Sequence, residues 1–204
     1  MFRLITNHKL GNLLVYLAKK IQPLYLTKTL KLLYLIDETS VREIGVPVTW
    51  LDYQVWKLGP VPKELFIELR HNVKEFYQDK KISLEDYITV EKATNPVKNQ
   101  FDSYIIKPKV EFDDGEFNDY EIDLIDKIIE ENQYLSSAKL VEKLHEKGTL
   151  WHKVVITQDL QRIFMLEQNR SNHTIDFTQL LVEDLKTLAY KSAYEALTLE
   201  EDLF

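Results

Sequence analysis

The chain has 204 residues, 45% of them apolar, a formal net charge of −7 and no cysteine. It can therefore bury one sizeable core, but it cannot build disulfide scaffolds, thiolate zinc sites, iron–sulfur clusters or cysteine nucleophiles. Five glycines and six prolines, against roughly 14 and 10 in an average chain of this length, point away from turn-rich sandwiches and barrels.

In chain order, Leu10, Leu13, Leu14, Leu17 and Ile21 fall on one face of a 3.6-residue period, so 8–22 reads as an amphipathic helix stopped by Pro23. A second helix is expected over Thr27–Glu43. Its run Leu30, Leu32, Leu33, Tyr34, Leu35 and Ile36 leaves almost no polar face, which means central burial, and Gly45 and Pro47 end it. Thr49 and Asp52 have capping-box spacing, and Leu51, Val55 and Leu58 take the i, i+4 and i+7 positions, so 50–58 is expected to be helical and closed by Gly59-Pro60. Pro62 suits the first turn of a helix over 62–71 with Leu65, Phe66 and Leu69 inward.

Between 83 and 110 the period changes. Tyr87–Val90 and Tyr104–Ile106 are rich in β-branched and aromatic residues, with Pro96 and Pro108 as breakers, and predict two short strands in one hairpin. Asn118 and Glu121 form a capping box for a helix to Asn132 with Ile122, Ile125 and Ile129 inward. Ser136 caps a helix ending at Gly148, with Val141 and Leu144 inward. Residues 159–168 suit a further helix, 169–174 a loop, and Asp176 caps a final helix to Leu197. The fold class expected is mainly α, a helical bundle with a small two-stranded β element. Asp113-Asp114-Gly115 is the best break inside it.

Residues 1–36 contain no acid but carry Arg3, Lys9, Lys19, Lys20, Lys28 and Lys31, whereas 111–131 hold ten acids and the single base Lys127. Either the basic segment is kept for a partner, DNA included, or the two segments neutralise each other inside the fold. The second reading is preferred, and the overall negative charge also speaks against bulk nucleic-acid binding. No apolar run approaches the roughly 18 residues of a membrane span. The opening residues lack a signal peptide's apolar stretch, so a cytoplasmic protein without a membrane partner is expected.

Three stretches carry a resemblance: Leu30–Asp37; Asp52-Tyr53-Gln54-Val55-Trp56-Lys57-Leu58-Gly59-Pro60-Val61-Pro62; and Ser137–Leu140 leading to His145 and Trp151. Their order and spacing resemble the Panacea antitoxin domain family, SocA-like and related to phage-associated GepA-like proteins. The likeness covers roughly 8–155. It implies an antitoxin domain over 1–155, with 156–204 as a helical extension packed on the same domain. It further implies a non-enzymatic, cofactor-free protein that neutralises a cognate protein toxin encoded nearby. One family member hands its toxin to a ClpXP-type protease. The signature residues are Leu33, Tyr34, Gly59, Pro60, Pro62, His145 and Trp151.

Other residues are weighed on their own chemistry. Tyr53, Trp56 and Lys57 are the candidate partner-binding residues; Trp56 also reads as core, and Tyr53, off the Leu51–Val55–Leu58 stripe, is the better anchor. Tyr53→Ala is then expected to weaken toxin binding without harming the fold. Gly59-Pro60-Val61-Pro62 reads as a rigid corner between two helices. His145 and His152 do not have the one-turn spacing of a zinc pair, and His145 suits a helix C-terminus. Asp37 and Glu38 point about 100° apart on a helix, so they do not form a carboxylate pair; Asp37 instead suits a buried contact with a tyrosine. The glycines never cluster into a phosphate cradle, and no Gly-x-Ser-x-Gly elbow occurs. The alternative function is a DNA-binding regulator using the 119–147 helix pair, which carries Lys139, Lys143 and Lys147 on its second helix.

Overall fold

The computed structural model describes residues 4–71, 83–93, 104–166 and 168–202. Arg3, Pro96 and most of the connection between the two expected strands lie outside them. Among the described residues the order is α1 (Leu4–Lys20), β1 (Leu24–Tyr25), α2 (Leu26–Ile44), β2 (Tyr53–Trp56), β3 (Gly59–Pro62), α3 (Lys63–His71), β4 (Ile88–Lys92), β5 (Tyr104–Pro108), α4 (Asp119–Asn132), α5 (Ser137–Leu144), α6 (Leu150–Thr157), α7 (Leu160–Met165) and α8 (Asp184–Asp202).

The molecule is built around α2. Its residues from Leu30 to Glu38 are buried without interruption, and α4, α5, α8 and β3 pack around it. That is what an apolar run without a polar face demands. Gly45 ends α2 in the left-handed conformation at φ 83°, donating its N–H to the Val41 carbonyl at 3.0 Å. The inward face of α1 is as expected, Leu10, Leu13, Leu14, Leu17 and Ile21 all being buried. Gly11 lies on the same helix where a Cβ would come within 2.5 Å of the Tyr87 ring, so the glycine gives that ring its seat.

The β element is larger than expected. β4 and β5 pair antiparallel as the sequence suggests, with Val90 opposite Ile106, but β1 joins on the other edge of β5 to make a three-stranded sheet ordered β1-β5-β4. A separate hairpin, β2-β3, replaces the helix expected over 50–58. The molecule is therefore mainly α with two small antiparallel sheets, and α2 is wrapped by helices and strands together, which a pure helical bundle is not.

The hairpin has clear physical causes. Trp50 has a positive φ of 52°, which breaks any helix there. Thr49 does not cap, because its N–H goes to Asp37 Oδ1 at 2.7 Å and its hydroxyl to Asp37 Oδ2. Tyr53 and Val55 point into the core while Gln54 between them is half-buried, the period of two that defines a strand. After the Lys57-Leu58 turn, Gly59 takes φ 98°, the left-handed position that hairpin turns reserve for glycine. Pro60 and Pro62 lack an N–H, which confines β3 to an edge. Gly59-Pro60-Val61-Pro62 is thus a strand, not a corner between helices, and Pro62 is its last residue, with α3 starting one residue later.

Farther on, the capping box Asn118–Glu121 is formed in both directions. Ile125 and Ile129 are buried, whereas Ile122 is only half-buried beside fully buried Leu124 and Ile128. Ser136 caps α5, which stops at Leu144, short of Gly148. Residues 149–166 contain two helices: Thr149 caps α6, and α7 follows. Asp176 caps a short 3-10 turn over Phe177–Leu180, so the last helix begins at Asp184. The 169–175 loop runs beside β2: Val55 N–H reaches the His173 carbonyl at 2.8 Å, Lys57 N–H the Asn169 carbonyl at 3.0 Å, and Ile175 N–H the Tyr53 carbonyl at 2.8 Å.

The charged segments meet inside the fold. Lys9 pairs with Glu121 at 2.6 Å, Lys20 with Asp126 at 3.3 Å, and Lys19 with Glu111. Lys28 donates to the carbonyls of Gln133 and Leu135 at 2.6 and 2.8 Å. The acid-free start of the chain and the acidic α4 segment are complementary surfaces of one molecule.

Candidate functional site

The signature residues from α2, β3 and α5–α6 lie at or beside two buried polar nodes, one toward each end of the hairpin. The first is centred on Asp37, which is fully buried. It accepts the Thr49 N–H and hydroxyl, and the Tyr53 hydroxyl at 2.8 Å. This is the tyrosine contact expected of Asp37. Burial pushes its carboxyl up to about 6 even though these donors pull the other way. Tyr34 and Phe177 pack on the Tyr53 ring at 5.2 and 5.7 Å.

Tyr53 is 1% exposed, so it is a core residue and not an accessible anchor. Its place off the Leu51–Val55–Leu58 stripe has meaning only on a helix, and the segment is a strand. The variant Tyr53→Ala therefore strikes the core and Asp37 together and cannot isolate partner binding.

The second node is built on Lys31, 1% exposed in the second turn of α2. Its Nζ donates to the Pro60 carbonyl at 2.7 Å, and no carboxylate among the described residues pairs with it. Burial pulls its ammonium down to about 7. Gly59 makes this approach possible, since a Cβ there would stand 3.2 Å from Lys31 Nζ and 3.8 Å from His145 Nε2. The His145 ring stacks flat on Trp151, centroids 3.7 Å apart. The Trp151 indole N–H donates to the Trp56 carbonyl at 2.9 Å, tying α6 to the hairpin. His145 stands at the C-cap of α5, the helix end expected for it, yet its Nε2 is buried without a hydrogen-bond partner. Burial, then the nearby Lys31 charge, pull its imidazole down to about 4.

Beside this node opens a cleft of about 290 Å³ between α2, the hairpin, α3 and the 169–170 segment. Trp56 forms part of its wall, 7% exposed and with its indole N–H on Gln54 at 3.1 Å. Lys57 is half-buried at the hairpin turn and does not line the cleft. Of the three candidate partner-binding residues, Trp56 alone reaches this cavity. Lys31, Arg70 and Arg170 all line it; the sequence marks Lys31 only as one of the cations of the basic segment and does not mark the two arginines. Lys31 carried a signal in being a lysine inside an unbroken apolar run; Arg170, in a polar loop, carried none. Among the described residues no group of three His, Asp or Glu side chains is placed to hold a metal ion, and no helix is long and apolar enough to cross a membrane.

No curated protein and no solved structure matches the chain. A family model does: that of the antitoxin SocA-like, Panacea domain, over residues 30–152. The matched span runs from the buried core of α2 through the hairpin to the α6 residues that close on it. More than half of the sequence and both polar nodes' signature residues fall within it, and the chain belongs to the SocA-like Panacea antitoxin domain family.

Proposed function

We propose that this protein is the antitoxin of a toxin–antitoxin system. It binds a cognate protein toxin encoded nearby and neutralises it stoichiometrically, without catalysis or cofactor, in the cytoplasm. The observation that carries the reading is the family match over 30–152. Residues 1–155 form the antitoxin domain in this reading, and 156–204 the helical extension that supports it. Neutralisation proceeds by covering the toxin's active surface, by delivering it to a ClpXP-type protease, or by both in turn.

The regulator alternative draws less support. Lys139 is paired with Glu142 at 2.6 Å, so one of the three lysines named on the second helix of the 119–147 pair is already matched by an acid. Its neighbour α4 brings a row of acids beside it. Titrating the product of the adjacent reading frame, and separately the promoter DNA, into the purified chain across a salt series separates the two. A complex with that product supports the proposal. A DNA complex that weakens steeply with salt, without toxin binding, overturns it.

A further inference from the structure

The cleft beside Lys31 has an unusual charge balance for a protein of net charge −7. Its charged lining among the described residues is Lys31, Arg70 and Arg170, with no carboxylate. Lys31 is buried with three donors and one acceptor, the Pro60 carbonyl. Arg170 and Arg70 are exposed, and neither pairs with an acid among the described residues. Lys31 is a buried amine with donors left over, two exposed guanidinia share its cleft, and an anion seated there could accept from all three.

The geometry also selects the kind of anion. The Arg170 guanidinium lies over Trp56 at 4.6 Å and Phe66 at 5.9 Å, and Arg70 over Phe66 at 5.6 Å and Tyr104 at 5.9 Å. Guanidinia held over rings keep their N–H edges free for a planar, two-oxygen acceptor. The same stacking occupies ring faces that a nucleobase would need. A volume of about 290 Å³ holds one or two side chains, not a folded element, and Leu26, Leu30 and Val61 make its floor apolar beside Lys31.

We infer that this cleft is the toxin-contacting pocket, receiving from the toxin an acidic side chain together with an adjacent apolar one. The carboxylate sits between Arg70 and Arg170 above Lys31, and the apolar neighbour rests on the floor. The identity of the partner rests on the antitoxin reading; the chemistry of the pocket does not.

Two measurements on the full chain test this separately. In the first, acetyl-Leu-Glu-Phe-amide and its Gln counterpart are titrated calorimetrically, with adenosine monophosphate alongside. Binding of the Glu peptide at least about tenfold tighter than the Gln peptide is expected. That preference is lost in Arg170→Glu, which folds normally because its side chain is exposed, and in Lys31→Met. Equal affinity for the two peptides, a preference that survives Arg170→Glu, or tighter binding of the nucleotide overturns the pocket. In the second, Arg70→Glu and Arg170→Glu weaken the toxin complex by at least about tenfold, whereas Lys139→Glu, on the far helix pair, does not. Undiminished toxin affinity in both arginine variants overturns the assignment. A chain that discriminates the peptides but binds no toxin supports the pocket and removes the antitoxin reading alone.

Discussion

Asp37 and Lys31 stand six residues apart on the same buried helix, a carboxyl that accepts three hydrogen bonds toward the open end of the hairpin and an amine that donates to Pro60 nearer its turn. Asp37→Ala leaves the Thr49 N–H and two hydroxyls without their acceptor, a loss of about 3 kcal/mol, read as a lower urea midpoint at unchanged slope. The pH dependences have opposite signs. The Asp37 carboxyl, raised to about 6, favours its protonated form in the folded state, so its contribution falls as pH rises from about 4 through 6. His145, pulled down to about 4, contributes the reverse in the same interval. The clean window is alkaline. Lys31, pulled down to about 7 from 10.5, loses its proton in the folded state first, so stability rises from about pH 7 toward 9. Lys31→Met flattens that rise, measured as Tm against pH. A residual rise of full size would show that Lys31 is not its source.

At the scale of elements, the left-handed glycines separate backbone strain from packing. Gly45 and Gly148 both have positive φ, 83° and 98°, but a Cβ on Gly45 would stand 2.5 Å from the Lys186 carbonyl oxygen while nothing lies within 4 Å at Gly148. Gly148→Ala therefore costs about 1 kcal/mol through φ alone, and Gly45→Ala costs clearly more, because it also pushes the start of α8 off α2. Equal shifts in Tm for the two would remove the packing argument. The helices themselves were legible in the sequence: α1, α2 and α4 have long apolar stripes and local caps, and their boundaries fall within a few residues of expectation. The hairpin was not. Leu51, Val55 and Leu58 satisfy a helical period by coincidence; β3, the ladder partner of β2, is rich in proline and reads as a corner, and the carbonyls on the other edge, Asn169 and His173, lie more than a hundred residues away. β1 is two residues long, too short to leave a pattern. The candidate site was half legible for the same reason: its family signature could be read along the chain, whereas the gathering of Lys31, Arg70 and Arg170 exists only after folding.

For the whole molecule, the uneven charge along the sequence resolves into contacts within one body. Lys9 and Lys20 of α1 are matched by Glu121 and Asp126 of α4, so among the described residues the basic start of the chain is largely turned to internal partners and not to a nucleic-acid face. Three cations without an acidic partner among the described residues, Lys31, Arg70 and Arg170, line one cleft that has no carboxylate in its lining. The most direct test of the central claim is survival. The adjacent reading frame is induced alone, and then together with this chain, and surviving colonies are counted. Growth arrest by the neighbour, relieved by the wild-type chain and not by Arg70→Glu/Arg170→Glu, is the predicted result. Arrest that the wild-type chain fails to relieve would contradict the account.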